Sequence, residues 1–165
     1  MSIKLIVLDV DGTMTDGRIS YTSSGDEIKS FSVKDGLGID SWIKLGKEVA
    51  IITGRVSPII ARRAKELGIG HFYEGIKDKK TVLLNILKEL DLSWENVAAI
   101  GDDLNDLSML ELAKISFAPS DASLHIISRV SHVLTAKGGS GAVREMIEYL
   151  IAHEGLSSEY LAQWE

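Results

Sequence analysis

Short apolar runs alternate along this chain with segments whose apolar positions recur every three to four residues. Ile3 to Val10 (IKLIVLDV) is the longest run, and Val49 to Ile52 and Val97 to Ile100 share its character. Consecutive apolar positions rich in branched side chains predict strands buried on both faces, as in a parallel sheet. Ile115 to Ala118 and His132 to Leu134 are shorter candidates. Helical patterns lie between the runs, beginning with a weak one from Gly36 to Leu45. Further on, Ser57 suits an N-cap, Pro58 the first helical position and Gly68 the C-terminal stop. Ile60, Ala61, Ala64 and Leu67 would line the inner face of that helix. Val82, Leu83, Ile86, Leu87 and Leu90 recur at helical spacing behind Asp78. Val143, Met146, Ile147, Leu150 and Ile151 do so near the end. This alternation predicts crossover units and a doubly wound α/β fold around a parallel sheet. Ligands of such sheets sit at the carboxyl ends of the strands.

One segment breaks the alternation. Residues 17–33 hold two strand-like runs, Arg18 to Thr22 and Glu27 to Ser32, around Ser23, Ser24, Gly25 and Asp26. That pattern predicts a β-hairpin insert after the first strand. A lone hairpin is marginal in water, so it should lean on the body or on another subunit. The 165 residues suit one domain, 1–165, with residues 138–165 as a C-terminal tail and helix. A composition 45% hydrophobic and 25% charged is that of an ordinary globular protein. The net charge of -6, with no basic face, argues against a nucleic-acid partner. No apolar run nears the roughly 18 residues of a membrane span, and the first residues lack a signal-peptide pattern. The expectation is a cytoplasmic protein with no membrane partner. The absence of cysteine excludes disulfides, thiolate catalysis and cysteine zinc sites.

Candidate chemistry gathers where strands end. Asp9, Asp11, Gly12 and Thr13 (DVDGT) close the first run. Two carboxylates two residues apart are costly there unless a cation or a phosphoryl group meets them, although ordinary loop acids are the competing reading. Thr53, Gly54 and Arg55 (ITGR) close the second run, and a hydroxyl with free backbone N–H groups can hold phosphate oxygens, although Thr-Gly after a strand is more often simply a turn. Lys79 and Lys80 open the third helix, where the helix dipole disfavours a cation, so each needs an anion nearby or free solvent, and at least one should be solvated. Gly101, Asp102, Asp103, Asn105 and Asp106 (GDDLND) follow the VAAI run. Three carboxylates in five residues suggest a hard divalent cation such as magnesium, with helix capping as an alternative for Asp103 or Asp106. Gly138, Gly139, Ser140 and Gly141 lack the lysine and spacing of a P-loop and read as a flexible hinge. The four histidines have no paired metal spacing, and Arg62, Arg63 and Lys65 read as a solvated helix face.

The order DVDGT, ITGR, Lys79, GDDLND resembles the four motifs of the haloacid dehalogenase superfamily of phosphatases. The resemblance implies that Asp9 attacks phosphorus to form an aspartyl phosphate and that Asp11 acts as general acid and then general base. It implies that Thr53 and Lys79 hold phosphoryl oxygens, with Lys80 as the fallback. Magnesium would be bound by Asp9, the backbone carbonyl of Asp11 and Asp102, with Asp103 or Asp106 supporting. No segment is long enough for a separate cap domain.

A narrower resemblance, carried by residues 15–39, the ITGR loop and the tail KGGSGAVREMIEYLI, is to phosphatases of 3-deoxy-D-manno-octulosonate 8-phosphate (KDO 8-phosphate) in lipopolysaccharide precursor synthesis. That subfamily implies a homotetramer with hairpins at its centre, tails reaching neighbouring sites, and Arg55 paired with a sugar-acid carboxylate. Lys34 and Asp35 would sit near the hairpin base and either shape the pocket or stand as surface charge. Thr13 departs from the valine common in that subfamily, and residues 157–165 match nothing in it. A phosphatase of nine-carbon sialic-type sugar phosphates or of small metabolites is the alternative within the superfamily. A receiver-like signalling domain is the rival outside it, but its acceptor acid would end a later strand.

Overall fold

The computed structural model describes residues 2–165. Among the described residues eight strands form: β1 (Leu5–Leu8), β2 (Ser20–Tyr21), β3 (Glu27–Ile28), β4 (Glu48–Ile52), β5 (His71–Tyr73), β6 (Val97–Ile100), β7 (Ile115–Ala118) and β8 (His132–Val133). Seven α-helices accompany them: α1 (Val33–Lys44), α2 (Pro58–Glu66), α3 (Lys79–Glu89), α4 (Leu107–Leu112), α5 (Leu124–Ile127), α6 (Ala142–His153) and α7 (Ser157–Ala162). Six strands make one parallel sheet in the order β5-β4-β1-β6-β7-β8, while β2 and β3 pair as a separate antiparallel hairpin.

Strand alternation sends β1 side chains to both faces of the sheet. Ile6 and Leu8 join Val49, Ile51, Ala98, Ile100 and Phe117 under α1, α2 and α6. Leu5 and Val7 join Ala50, Ile52, Val97 and Ala99 under α3, α4 and α5. The sheet is therefore covered on both sides, which explains why its runs read as continuously apolar. All five inner-face residues expected of α6 are buried. From β1 the chain builds outward through β4 and β5, then returns to place β6 on the other side of β1. The crevice between the ends of β1 and β6 is thus the topological switch point, where doubly wound sheets take ligands.

Several boundaries differ from the expectations. β1 spans Leu5–Leu8 rather than residues 3–10, because its last residues turn away from the ladder at Gly12. The hairpin strands are shorter than the runs suggest, pairing only Ser20 with Ile28 and Tyr21 with Glu27. α1 begins at Val33, where the Ser32 side chain accepts from the Asp35 N–H. β5, α4 and α5 have no counterpart in the sequence pattern: each is too short for a recurring period. The insert between β1 and β4 consists of the hairpin and α1, and among the described residues no cap domain stands over the sheet.

Candidate active site

Asp9 and Asp11 lie just past β1 on a tightly wound loop. The N–H groups of Thr13, Met14 and Thr15 all point to the carbonyl of Val10, at 3.1, 2.9 and 3.1 Å. Thr15 Oγ1 accepts from the N–H of Gly12 at 3.2 Å and of Gly17 at 3.1 Å. Gly12 is required here: its φ is +96°, and a Cβ would lie 2.0 Å from Asp102 Oδ2. The loop consequently presses its backbone against the end of β6, bringing Asp102 beside Asp9. Thr13 Oγ1 donates to Asp102 Oδ1 at 3.3 Å, so the departure at position 13 supplies a hydroxyl to the acid cluster.

Lys79 occupies the first position of α3, which Asp78 caps through the Thr81 N–H at 3.1 Å. Its fully buried ammonium donates to Asp9 Oδ1 at 2.6 Å and to Asp106 Oδ1 at 2.5 Å. Lys80 is exposed. Asp106 Oδ2 accepts from the N–H groups of Asp102 and Asp103 at 2.9 and 3.2 Å. Asp106 is therefore both a cap of its own turn and the second anion on Lys79. Asp103 is exposed and caps the turn through the Leu104 N–H at 2.8 Å.

Burial raises the Asp9 carboxyl well above the ordinary carboxylate range, Asp106 adds to the rise, and Lys79 opposes it. Burial likewise pushes Asp102 up to about 6. For Lys79, burial pulls down, but the charges of Asp9 and Asp106 outweigh it and the ammonium is raised. Asp9, Asp102 and Asp106 each offer a carboxylate oxygen within 4.8 Å of the others. Asp11 adds a buried Oδ2 with no partner. An all-oxygen, net-negative cluster of this kind fits a hard divalent cation, which would offset both the burial and the mutual repulsion that raise Asp9 and Asp102.

The opposite wall comes from the loop after β4. Thr53 is buried and anchored by its backbone to Tyr73 and Ile76, at 2.9 and 3.0 Å. Asp9, Asp11, Thr53, Gly54, Arg55, Asp102, Asp103 and Asn105 line one cleft of about 200 Å³. Wider grooves of about 250 and 320 Å³ lie nearby along α2, but their acids, Glu66 and Asp40, are already paired with Arg62, Arg63 and Lys44, so the chemistry selects the smaller cleft. Two residues not singled out by the sequence approach it from the hairpin. Lys29 pairs with Asp11 Oδ1, and Glu27 lies 3.7 Å from the Arg55 guanidinium. Their only signal is the Glu-x-Lys alternation in the second hairpin run, which gives no hint of which way that face turns.

Other expectations need correction. Asp35 neither lines the cleft nor stands on the surface: it is buried and accepts from the Arg144 N–H at 2.8 Å, at the start of α6. Lys34 is exposed, and its carbonyl accepts from the Arg144 guanidinium at 3.4 Å. Ser57 is the N-cap residue of α2 but makes no side-chain cap bond. Arg63 is not fully solvated, lying 5.7 Å over the Phe31 ring. Gly138 and Gly139 are packed against the loop that carries Asp9 and Asp11. The Gly139 N–H donates to the Thr13 carbonyl at 3.0 Å, and a Cβ on Gly138 would lie 1.9 Å from the Gly12 carbonyl oxygen.

Residues 71–147 match the model of the haloacid dehalogenase-like hydrolase family. The chain is 41% identical over 159 residues to the 3-deoxy-D-manno-octulosonate 8-phosphate phosphatase of Haemophilus influenzae, covering 96% of this chain and 88% of that one. The chain belongs to the haloacid dehalogenase-like hydrolases. The Escherichia coli K12 phosphatase of the same name is 40% identical to this hydrolase over 98% of its length and 86% of the relative's. Among solved structures, the Moraxella catarrhalis 3-deoxy-D-manno-octulosonate 8-phosphate phosphatase, in complex with magnesium, phosphate and KDO, superposes with a TM-score of 0.95. The two are 39% identical, with 99% of this hydrolase and 94% of that chain covered. A cobalt-bound form of the Haemophilus influenzae enzyme superposes with a TM-score of 0.89 at 41% identity, covering 93% and 90%. The doubly wound sheet and the hairpin insert of this hydrolase are those of these relatives.

Proposed function

We propose that this chain hydrolyses KDO 8-phosphate to KDO and inorganic phosphate, with magnesium and through a phosphorylated Asp9. The observation that carries the reading is the meeting of Asp9, Asp11, Lys79 and Asp102 at one switch-point crevice, in a chain whose relatives are named for this reaction. Magnesium would be held by Asp9, the Asp11 backbone carbonyl and Asp102, and when bound it neutralises phosphate charge facing the acids.

The residues of the chain do the rest. A carboxylate oxygen of Asp9 attacks phosphorus, and the bond from phosphorus to the sugar oxygen breaks. Asp11 gives its proton to that oxygen, releasing KDO. Asp11, now ionised, takes a proton from water as the water attacks the phosphorus on Asp9. The bond from phosphorus to Asp9 breaks, inorganic phosphate leaves, and both acids return to their starting forms. Lys79 and Thr53 hold the equatorial oxygens, where fixed donors lower the barrier. Asp106 positions Lys79, and Asp103 shapes the turn that presents Asp102. Arg55, about half exposed at the cleft mouth, takes the sugar-acid carboxylate in a bidentate pair.

The test is phosphate release with magnesium from a panel of phosphorylated sugar acids and simple sugars, with Asp9→Asn as the blank. A strong preference for the eight-carbon acid is expected. A nine-carbon preference, or slow activity on every ester alike, would remove the named substrate while keeping the chemistry. Wild-type turnover by Asp9→Asn would remove the mechanism.

The assembly belongs to the same proposal. Tyr21 and Ile28 on the hairpin, with Val33 and Val56 beside it, expose apolar surface, and a two-stranded hairpin is marginal alone. We place the hairpin at the centre of a homotetramer, with the chain forming a single domain in each subunit. A monomer by light scattering at micromolar concentration would overturn this. A charged phosphate ester does not cross a bilayer unaided, and we place the enzyme in the cytoplasm on that ground.

A further inference from the structure

Glu27 and Lys29 are two residues apart at β3, so their side chains leave the same face of the hairpin. That face turns to the cleft. The Lys29 side chain is fully buried; its ammonium pairs with Asp11 Oδ1 and lies 3.3 Å from Glu27 Oε1. Glu27 reaches across to the loop after β4. Its Oε2 accepts from Ser57 Oγ at 3.0 Å, and its Oε1 lies 3.7 Å from the Arg55 guanidinium. Ser57 ordinarily would cap α2 with its hydroxyl. Its hydroxyl is turned to Glu27 instead. A buried ammonium is costly without anions beside it, and here they are Asp11, on the catalytic loop, and Glu27, on the hairpin, which itself reaches the Arg55 loop. An acid and a cation in alternation on one short strand thus join the Asp11 loop to the Arg55 loop.

We propose that Glu27 and Lys29 are a positioning dyad that sets these two loops in register: Lys29 holds the Asp11 carboxylate and Glu27 holds the Arg55 guanidinium. The proposal rests on the mechanism above. A sugar-acid ester must place its phosphoryl group at Asp9 and its carboxylate at Arg55 at once, so the spacing of the two loops selects for it. An ester without a carboxylate feels only the Asp11 side. The dyad therefore acts on substrate choice through Glu27 and on turnover through Lys29.

The test compares KDO 8-phosphate with p-nitrophenyl phosphate, using the full chain with magnesium. Glu27→Gln is expected to raise KM for the sugar acid about threefold to fivefold, with a much smaller change in kcat, the loss of one half-exposed ion pair. Its preference for the sugar acid over p-nitrophenyl phosphate should fall by the same factor. In an Arg55→Ala background, Glu27→Gln should add nothing further to KM, because the two residues act as one unit. Lys29→Met should lower kcat about tenfold or more on both esters, and Lys29→Arg should restore part of it. An equal effect of Glu27→Gln on both esters, or an additive effect with Arg55→Ala, overturns the dyad. So does wild-type kcat in Lys29→Met, or activity losses that merely follow the unfolded fraction in urea titrations. A wild type that hydrolyses no phosphate ester overturns the mechanism itself, a result distinct from an active wild type indifferent to Glu27.

Discussion

Lys79 shows how much one side chain can decide. Its ammonium lies between Asp9 and Asp106, at 2.6 and 2.5 Å, where no water reaches it. Lys79→Met would leave two buried carboxylates facing each other with no cation. The expected cost is about 3–5 kcal/mol of stability and a fall in kcat of about 100-fold or more. Urea titration and phosphate release check the two effects separately. Lys80→Ala, one residue on and exposed, should change neither by more than about 0.5 kcal/mol or its equivalent in rate. The sequence placed both lysines in the first turn of α3 and could not choose between them, because the choice depends on the rotational phase of a helix docked against β1. The same limit hid Lys29 and Glu27, whose alternation is visible but whose facing is not.

At the scale of elements, two connections hold the catalytic loop in place. The first is the glycine turn before α6. Gly138→Ala would drive a Cβ to 1.9 Å from the Gly12 carbonyl oxygen, so the loop bearing Asp9 and Asp11 must shift. An activity loss of about 100-fold is expected from such a misplacement, measured as phosphate release on protein shown by circular dichroism to be folded. The second is Asp35, which joins α1 to the first turn of α6 through the Arg144 N–H. Burial raises its carboxyl from 3.8 to about 6, although the Arg144 and Gly141 N–H groups and nearby arginines oppose the rise. A raised acid binds its proton more tightly when folded, so its contribution to stability is full below about pH 4 and is lost as pH rises through about 6. The gap between 3.8 and about 6 corresponds to about 3 kcal/mol. Asp35→Asn, which cannot ionise, should therefore gain up to about 3 kcal/mol on the wild type between pH 4 and pH 7. Urea midpoints at the two pH values decide this, and a constant difference would contradict it. Neither connection is legible in the sequence: Gly138 reads as a hinge and Asp35 as a pocket or surface acid until α6 is packed on α1.

For the molecule as a whole, the acids at the mouth of the sheet make folding and cation binding one equilibrium. Magnesium at a hundredfold excess over its Kd should stabilise the fold by about 2.7 kcal/mol, a Tm rise of about 5–10 °C for a chain of this size. Asp102→Asn should abolish most of that rise, and a scanning fluorimetry series with and without chelator reads it without any turnover. By itself the sequence determined the α/β class, the three central strands, the main helices, three polar clusters at strand ends and a lysine pair at the start of a helix. These follow from local periodicity and from the rule that doubly wound sheets bind ligands at their carboxyl edge. Only the tertiary structure decided which lysine turns inward, that Asp35 is buried, that the glycine turn is packed, and that the hairpin delivers Glu27 and Lys29 to the cleft. The physical reason is range: the Lys29–Asp11 contact joins residues 18 positions apart, Lys79–Asp9 joins residues 70 apart, and Asp35–Arg144 joins residues 109 apart. A local pattern carries the phase of one element, whereas these contacts depend on how two elements dock.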